Sequence, residues 1–426
     1  MMIREKIQHL LSDKLVKNIG WLTTSQIFIR LFRLATVVVL ARKLTTEDYG
    51  IIAILFTITD FAYIFIQKGG IAPKLIQAEK ADLEVLSNTA YWINWILCLS
   101  IFTAQGLAAF PIAMLYDNER LVLPIIVIGV SYLFNPFYAV QDALIRRENR
   151  LKISAIATTL YALISNLLVF ALALLGAGLW SVVIAKAVSH VVWIGMYRRC
   201  HSWRPTSAFT LKRWQDIFNF SKFPLGIEML NYLRSNIDYM LVGAFFSVEE
   251  LGLYFFAFNA GLGISLNVIN MVTNSVFPYL CEVKDNMATL KRNYAKSLKI
   301  VAAIMLPVAI AQSSLAPFYV PIVFGEKWIA AIPILIMICL SGIPRAFALV
   351  SEQLLLTVDR GMAGLKWNIF FTGLFIVAIL ISAQFNIYAV AASVLGIHFL
   401  CLPPFSIWAA RSTFPNTDLP KAETPG

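Results

Sequence analysis

Apolar residues fill this chain in long runs, twelve stretches each near the 17 to 25 residues, approximately, that carry a helix across a bilayer, with short polar connections between them. The runs cover 19–41, 49–66, 86–110, 121–145, 153–175, 179–197, 218–246, 253–277, 298–318, 330–357, 367–383 and 388–410. An even number puts both ends on one side. The pattern predicts an all-α, polytopic membrane protein of about 12 transmembrane helices.

Polar positions inside these runs carry the chemistry. In the first run, IGWLTTSQIFIRLFRLATVVVLARKL, Gln26, Arg30 and Arg33 fall at i, i+4, i+7 and share one helical face. An arginine at mid-depth costs about 3 kcal/mol in lipid, so both must face something polar. A water-filled cavity that attracts an anion satisfies this, and so does pairing with buried acids such as Asp60. In the seventh run Glu228, Asn231, Arg234 or Ser235, and Asp238 recur at helical spacing; Arg234 and Asp238 form an i, i+4 pair, open to a structural or a substrate-contacting reading. Pro224 and Gly226 predict a loosened start to that helix. The eighth run carries Asn259, Gly263, Asn267, Asn270 and Asn274 on one stripe, suited to bonding between helices or to a hydroxyl-compatible wall for a sugar. Asp60, Glu228, Asp238 and Glu352 are the candidates for coupling or charge pairing. Lys186 and His190 lie one turn apart, and both His190 and His398 read as satisfied interior residues.

The chain also repeats itself. Thr46-Glu47-Asp48-Tyr49-Gly50 matches Val248-Glu249-Glu250-Leu251-Gly252 at an offset of 202. At an offset of 210, Ser131, Asn135, Tyr138 and Asp142 match Ser341, Arg345, Ala348 and Glu352, each set on one helical face, and Asn149-Arg150 matches Asp359-Arg360. This predicts a lead-in helix over 1–17, a six-helix lobe over 18–200, a basic linker over 201–217 broken at Pro205, a second six-helix lobe over 218–410 and a tail over 411–426. The two lobes point the same way, with a pathway expected between them.

At 59% hydrophobic, 14% charged and mean hydropathy +0.73, the composition excludes an ordinary soluble domain. The net charge of +11 reports topology: 26 Lys and Arg lie on the side of the termini against 4 on the other, which predicts cytoplasmic termini and contacts with anionic lipids rather than nucleic acid. The basic residues left inside the spans are Arg30, Arg33, Lys186, Arg234 and Arg345. Met1–Lys17 lacks the short apolar core and cleavage site of a removable signal. Five cysteines without CxxC spacing, and no clustered histidines, give no metal or cofactor site. No phosphate-cradling loop, HExxH or GxSxG is present, so an enzyme is not expected.

Four segments, ARKLTTEDYGIIAIL, ALIRRENRLK, LVGAFFSVEELGLYFFAFN and VFGEKWIAAIPILI, in this order and spacing resemble the polysaccharide-transport (Wzx-type) flippases of the multidrug/oligosaccharidyl-lipid/polysaccharide exporter superfamily. The resemblance implies two pseudo-symmetric six-helix lobes in a V, alternating access, and an undecaprenyl-diphosphate-linked oligosaccharide moved across the bacterial cytoplasmic (inner) membrane, with a polymerase and a chain-length regulator as further partners. It maps a cationic central cavity onto Arg30, Arg33, Arg234 and Arg345, to which Gln26, Asn259, Asn267 and Asn270 add polar lining. Some relatives add two spans beyond the twelfth, and a role for them is not expected here. Competing readings are a cation or multidrug antiporter, for which arginines stand where acids are wanted; a major-facilitator transporter, whose Gly-Asp-Arg signature QKGGIAPKLIQAEK lacks; and a non-transporting scaffold, for which buried arginines are a heavy cost.

Overall fold

The structure, a computed structural model, describes residues 33, 35–68, 71–206, 208–261 and 275–414, with all their side chains except those of Lys68, Phe223, Ile227, Asn231 and Arg234. Gln26, Arg30, Asn267, Asn270, the expected lead-in helix and most of the tail lie outside the described residues, as does the Arg234 side chain. Among the described residues every regular element is helical.

Two compact units divide at Asn236/Ile237. The first contains α1 (Thr46–Tyr63), α2 (Ile71–Gln77), α3 (Leu83–Leu115), α4 (Val122–Gly129), α5 (Ala139–Arg147), α6 (Leu151–Leu174), α7 (Trp180–Val188), α8 (Val191–Cys200) and most of α9 (Trp214–Phe245). The second contains the end of α9, then α10 (Val248–Ala260), α11 (Met287–Tyr319), α12 (Ile332–Thr357), α13 (Gly361–Ser382) and α14 (Ile387–Thr413).

Nine segments among the described residues are long and apolar enough to cross a membrane, and each falls on one of the twelve expected runs. Of the first run only residues 33 and 35–41 are described, and of the eighth only 253–261 and 275–277. The seventh is one 32-residue helix, α9, that carries Glu228 and Asp238 along its length. It continues through Pro224 and Gly226, where a looser start was expected.

Burial separates core helices from lipid-facing ones. In the first unit 61% of the most apolar stretch of Thr46–Gln77 is buried, against 11% for α6. In the second unit α12 is central: Ser341, Gly342, Ala346, Ala348 and Ser351 are buried along it. Ala391 and Ala409 are buried on the neighbouring α14. Lipid is as apolar as leucine, so helices here associate by close packing, which small residues permit. Gly261, at the end of α10, shows the same constraint: a Cβ there would meet the Cys339 Sγ of α12 at 2.7 Å.

The internal repeat is visible as local structure. Thr45 caps α1 through its Oγ1, which accepts from Asp48 N at 3.0 Å, and Asp48 Oδ2 accepts from Thr45 N at 3.1 Å. Ser247, 202 positions on, caps α10 with Glu250 in the same reciprocal box. Three-ten turns at Glu119–Leu121 and Glu326–Ala331 lead into α4 and α12 at the offset of 210.

The repeat is not kept in helix type throughout. Ser341, Arg345, Ala348 and Glu352 do share the continuous helix α12. Their counterparts do not, because Val130–Phe137 is a three-ten stretch containing Pro136 and the chain breaks at Tyr138 (φ −135). Three residues per turn there replace the α-helical period on which their common face was read, although Ser131, Asn135 and Tyr138 are all buried. Pro136 lacks the N–H that an α-turn would use.

The basic segment before α9 packs on the first unit. Thr206 donates from its N and Oγ1 to Asn88 Oδ1, Thr89 Oγ1 donates to Lys212 O, and Trp92 Nε1 donates to Ala208 O.

Candidate functional site

Two helical faces in the first unit meet around a cavity of about 380 Å³. From α1 and the π-turn that extends it (Ile64–Lys68) come Asp60, Tyr63, Ile64 and Gln67, at i, i+3, i+4, i+7. From α9 come Glu228, Tyr232, Ser235 and Asn236, at i, i+4, i+7, i+8. Both sets step by one, three or four residues, with Ile64 and Gln67 on the π-turn, so each element brings its groups to one side. Of the expected coupling acids, Asp60 and Glu228 line this cavity together.

Asp60 was expected to meet Arg30 or Arg33. Arg30 lies outside the described residues; among the described ones the cation within ion-pair distance of Asp60 is Lys186 of α7, with Nζ 3.7 Å from Oδ1. Arg33, exposed, acts electrostatically on Lys186. The Lys186 ammonium also stands 4.0 Å from the Phe56 ring centroid. A lysine inside a spanning helix is thereby held by a carboxylate on one side and an aromatic face on the other.

Behind the cavity wall runs a buried polar chain. His190 Nδ1 lies 2.9 Å from Lys186 O, a carbonyl that can only accept, so Nδ1 carries the proton and Nε2 is the acceptor. Tyr63 then donates its hydroxyl to His190 Nε2 at 2.7 Å and receives Ser131 Oγ at 3.1 Å. Deeper still, Asn94 Oδ1 accepts from Asn135 Nδ2 at 3.1 Å and from Cys98 Sγ at 3.4 Å. Tyr132 donates to Gln105 Oε1 at 2.7 Å. His398 of α14 donates from Nδ1 to Val394 O at 2.6 Å. Both histidines are satisfied interior residues, as expected from the sequence.

In the second unit Asp238, buried, receives the Tyr254 hydroxyl at 3.1 Å. Arg345 of α12 lies within electrostatic range of Asp238 and of His398. The expected i, i+4 pairing with Arg234 involves a side chain outside the described ones; the described groups at Asp238 come from α10 and α12. Asn259 donates from Nδ2 to Phe255 O of its own helix at 2.9 Å, so its donor stays within α10. Glu352 is half-buried on α12.

A larger cavity, about 750 Å³, opens at the other end of α1 beside Asp48, Met114 and Trp180. Its guanidinium, Arg120, is already committed to Glu47 at 3.0 Å and Asp48 at 2.8 Å. That arrangement ties the ends of helices together and leaves the smaller cavity as the better candidate. Tyr63 and Gln67 escaped the sequence reading; their spacing from Asp60 was the available signal.

Residues 39–333 match the family described as Polysaccharide biosynthesis protein. The teichuronic acid biosynthesis protein TuaB of Bacillus subtilis is 25% identical over 366 residues, covering 84% of this chain and 74% of that protein. The lipopolysaccharide biosynthesis protein WzxC of Escherichia coli is 26% identical over 390 residues, covering 88% and 76%. Among solved structures, the lipid II flippase MurJ in an inward closed conformation aligns with a TM-score of 0.73 at 12% identity, over 93% of this chain and 87% of that one. An inward-facing multidrug resistance MATE family transporter of the MOP superfamily aligns at 0.70 and 15% identity, over 91% and 95%. At such low identity these two likenesses speak for the fold, which is that of MATE transporters and MurJ.

Proposed function

This chain belongs to the polysaccharide biosynthesis protein family, and on that footing we propose that it flips an undecaprenyl-diphosphate-linked oligosaccharide across the bacterial cytoplasmic membrane by alternating access. Its multi-pass helical architecture and its relatives in polysaccharide biosynthesis support a transport role over a catalytic one.

The observation that carries the reading is charge held within spanning helices of both units. Lys186 meets Asp60 in the first, and Arg345 stands near Asp238 in the second. Such groups are costly in a bilayer and mark a polar pathway, which a scaffold has no use for. In this proposal Arg30, Arg33, Arg234 and Arg345 meet the diphosphate, whose oxygens a guanidinium binds in bidentate fashion. The polyprenyl tail stays in lipid. A polymerase and a chain-length regulator receive the product on the outer side, and both termini remain cytoplasmic.

A cation antiporter draws on one feature, the carboxylates of Asp60 and Glu228 on a shared cavity. The two readings separate in liposomes containing the purified chain. The flippase moves a fluorescent undecaprenyl-diphosphate oligosaccharide between leaflets. The antiporter moves a lipophilic dye cation against a proton or sodium gradient and leaves the glycolipid in place.

A further inference from the structure

We infer that the cavity between α1 and α9 is a saccharide subsite, which takes the hydroxyl-bearing rings of the cargo while its diphosphate is held elsewhere; this rests on the flippase reading. A diphosphate is a poor occupant, because the Asp60 carboxylate lines the space and the Lys186 ammonium beside it already faces Asp60 at 3.7 Å. A bare metal ion is a poor occupant as well. It draws its oxygen ligands onto one point at about 2.0–2.6 Å, whereas these groups line about 380 Å³. That volume falls within the range, roughly 300–1,000 Å³, of cavities that hold small organic ligands.

The groups match a polyol. Carboxylates accept from hydroxyls, while the amide of Gln67 and the hydroxyl of Ser235 each donate and accept. Among the described residues neither Gln67 nor Ser235 spends its side chain on a hydrogen bond within the protein, and both are exposed to the cavity region. The two phenols are fixed from behind: Tyr63 donates to His190 Nε2 and Tyr232 donates to Thr57 O. Their donor protons are therefore spent, and the rings are held as walls against which the C–H faces of a sugar can lie. The Tyr232 ring is further held by Phe61, with centroids 5.7 Å apart. Polar groups that read hydroxyls discriminate strongly against a ligand that lacks them, because they are then left unpaired.

The test uses the full chain in lipid nanodiscs and three probes: bare undecaprenyl diphosphate, and the same lipid bearing one hexose or one N-acetylhexosamine. The expected result is that one of the sugared lipids binds at least about tenfold tighter than the bare one, the equivalent of about 1.4 kcal/mol. Gln67→Leu with Ser235→Ala should bring that ratio close to one; either single substitution serves if the double variant is not recovered, and Gln67→Asn should restore part of the preference. Equal binding of all three lipids by the unaltered chain overturns the subsite and leaves the flippase reading standing. So does a variant that weakens sugared and bare lipids by the same factor, the mark of a merely structural role. Binding of none of the three overturns both.

Discussion

Arg150 and Arg360, 210 positions apart, make the same contact in the two units. Arg150 Nη2 donates to Cys200 O, where α8 ends, and Arg360 Nη1 donates to Ser412 O, near the end of α14. The residues before them, Asn149 and Asp359, share a left-handed backbone at φ 56 and φ 58. Arg150 N donates to Ile145 O and Arg360 N to Leu355 O, which closes each preceding helix in the same way. Asparagine and aspartate tolerate this conformation where β-branched residues do not. Asn149→Val and Asp359→Val should each cost about 1–2 kcal/mol, and Asn149→Gly should be neutral or mildly stabilising, as read by thermal unfolding of the detergent-solubilised chain. Equal losses at both positions are expected, because the motif is the same.

The Lys186–Asp60 pair predicts a double-mutant signature. Lys186→Met leaves Asp60 facing the cavity without its cation, and Asp60→Asn leaves a lysine inside a spanning helix. Each single change should lower folded yield. The double variant should recover most of it, with a coupling on the order of 1 kcal/mol. Additive losses in a denaturation cycle would count against the pair.

Tyr63→Phe removes the donor to His190 Nε2 and the acceptor for Ser131, and should cost about 1 kcal/mol in stability. His190→Gln keeps an acceptor near Tyr63 and should cost less than His190→Leu. A nitrogen-edited spectrum of labelled histidine should report a proton on Nδ1 and none on Nε2 of this ring.

Outside the membrane spans, Glu148 receives Arg150 Nη1 at 2.9 Å and His201 Nε2 at 3.2 Å. The Arg150 hydrogen bond, with His201 beside it, holds this carboxyl below the usual carboxylate range. A carboxyl depressed in the folded chain stabilises it above the unfolded pKa of about 4.3, and that contribution is lost as pH falls through the lower folded value. Glu148→Gln should therefore shift unfolding slightly at pH 7 and not at all well below pH 4, roughly, in paired melts.

Nine of the expected spans were legible because a run of apolar residues is a one-dimensional signal, needing no knowledge of neighbours. The repeats that begin at Thr46 and Val248, just after the caps, and the paired turns at Asn149 and Asp359 were legible for the same reason. Partnerships across helices were not. The sequence offered Asp60 cations on more than one span, and only packing brings Lys186 of α7 within 3.7 Å of it. Tyr254 and Arg345, which the structure brings to Asp238 from α10 and α12, stand at no helical spacing from it and left no sequence signal. The three-ten stretch through Pro136 in span four was not legible either, since a sequence pattern assumes one period throughout.

Translocation itself tests the central claim most directly. In liposomes holding a fluorescent undecaprenyl-diphosphate oligosaccharide, the unaltered chain should carry label to the opposite leaflet. Arg30→Ala, Arg33→Ala and Arg345→Ala should each slow transfer about tenfold or more, the scale of a lost charge-assisted contact, with Lys restoring part of the rate and protein abundance unchanged. Normal transfer in all three alanine variants would contradict the account.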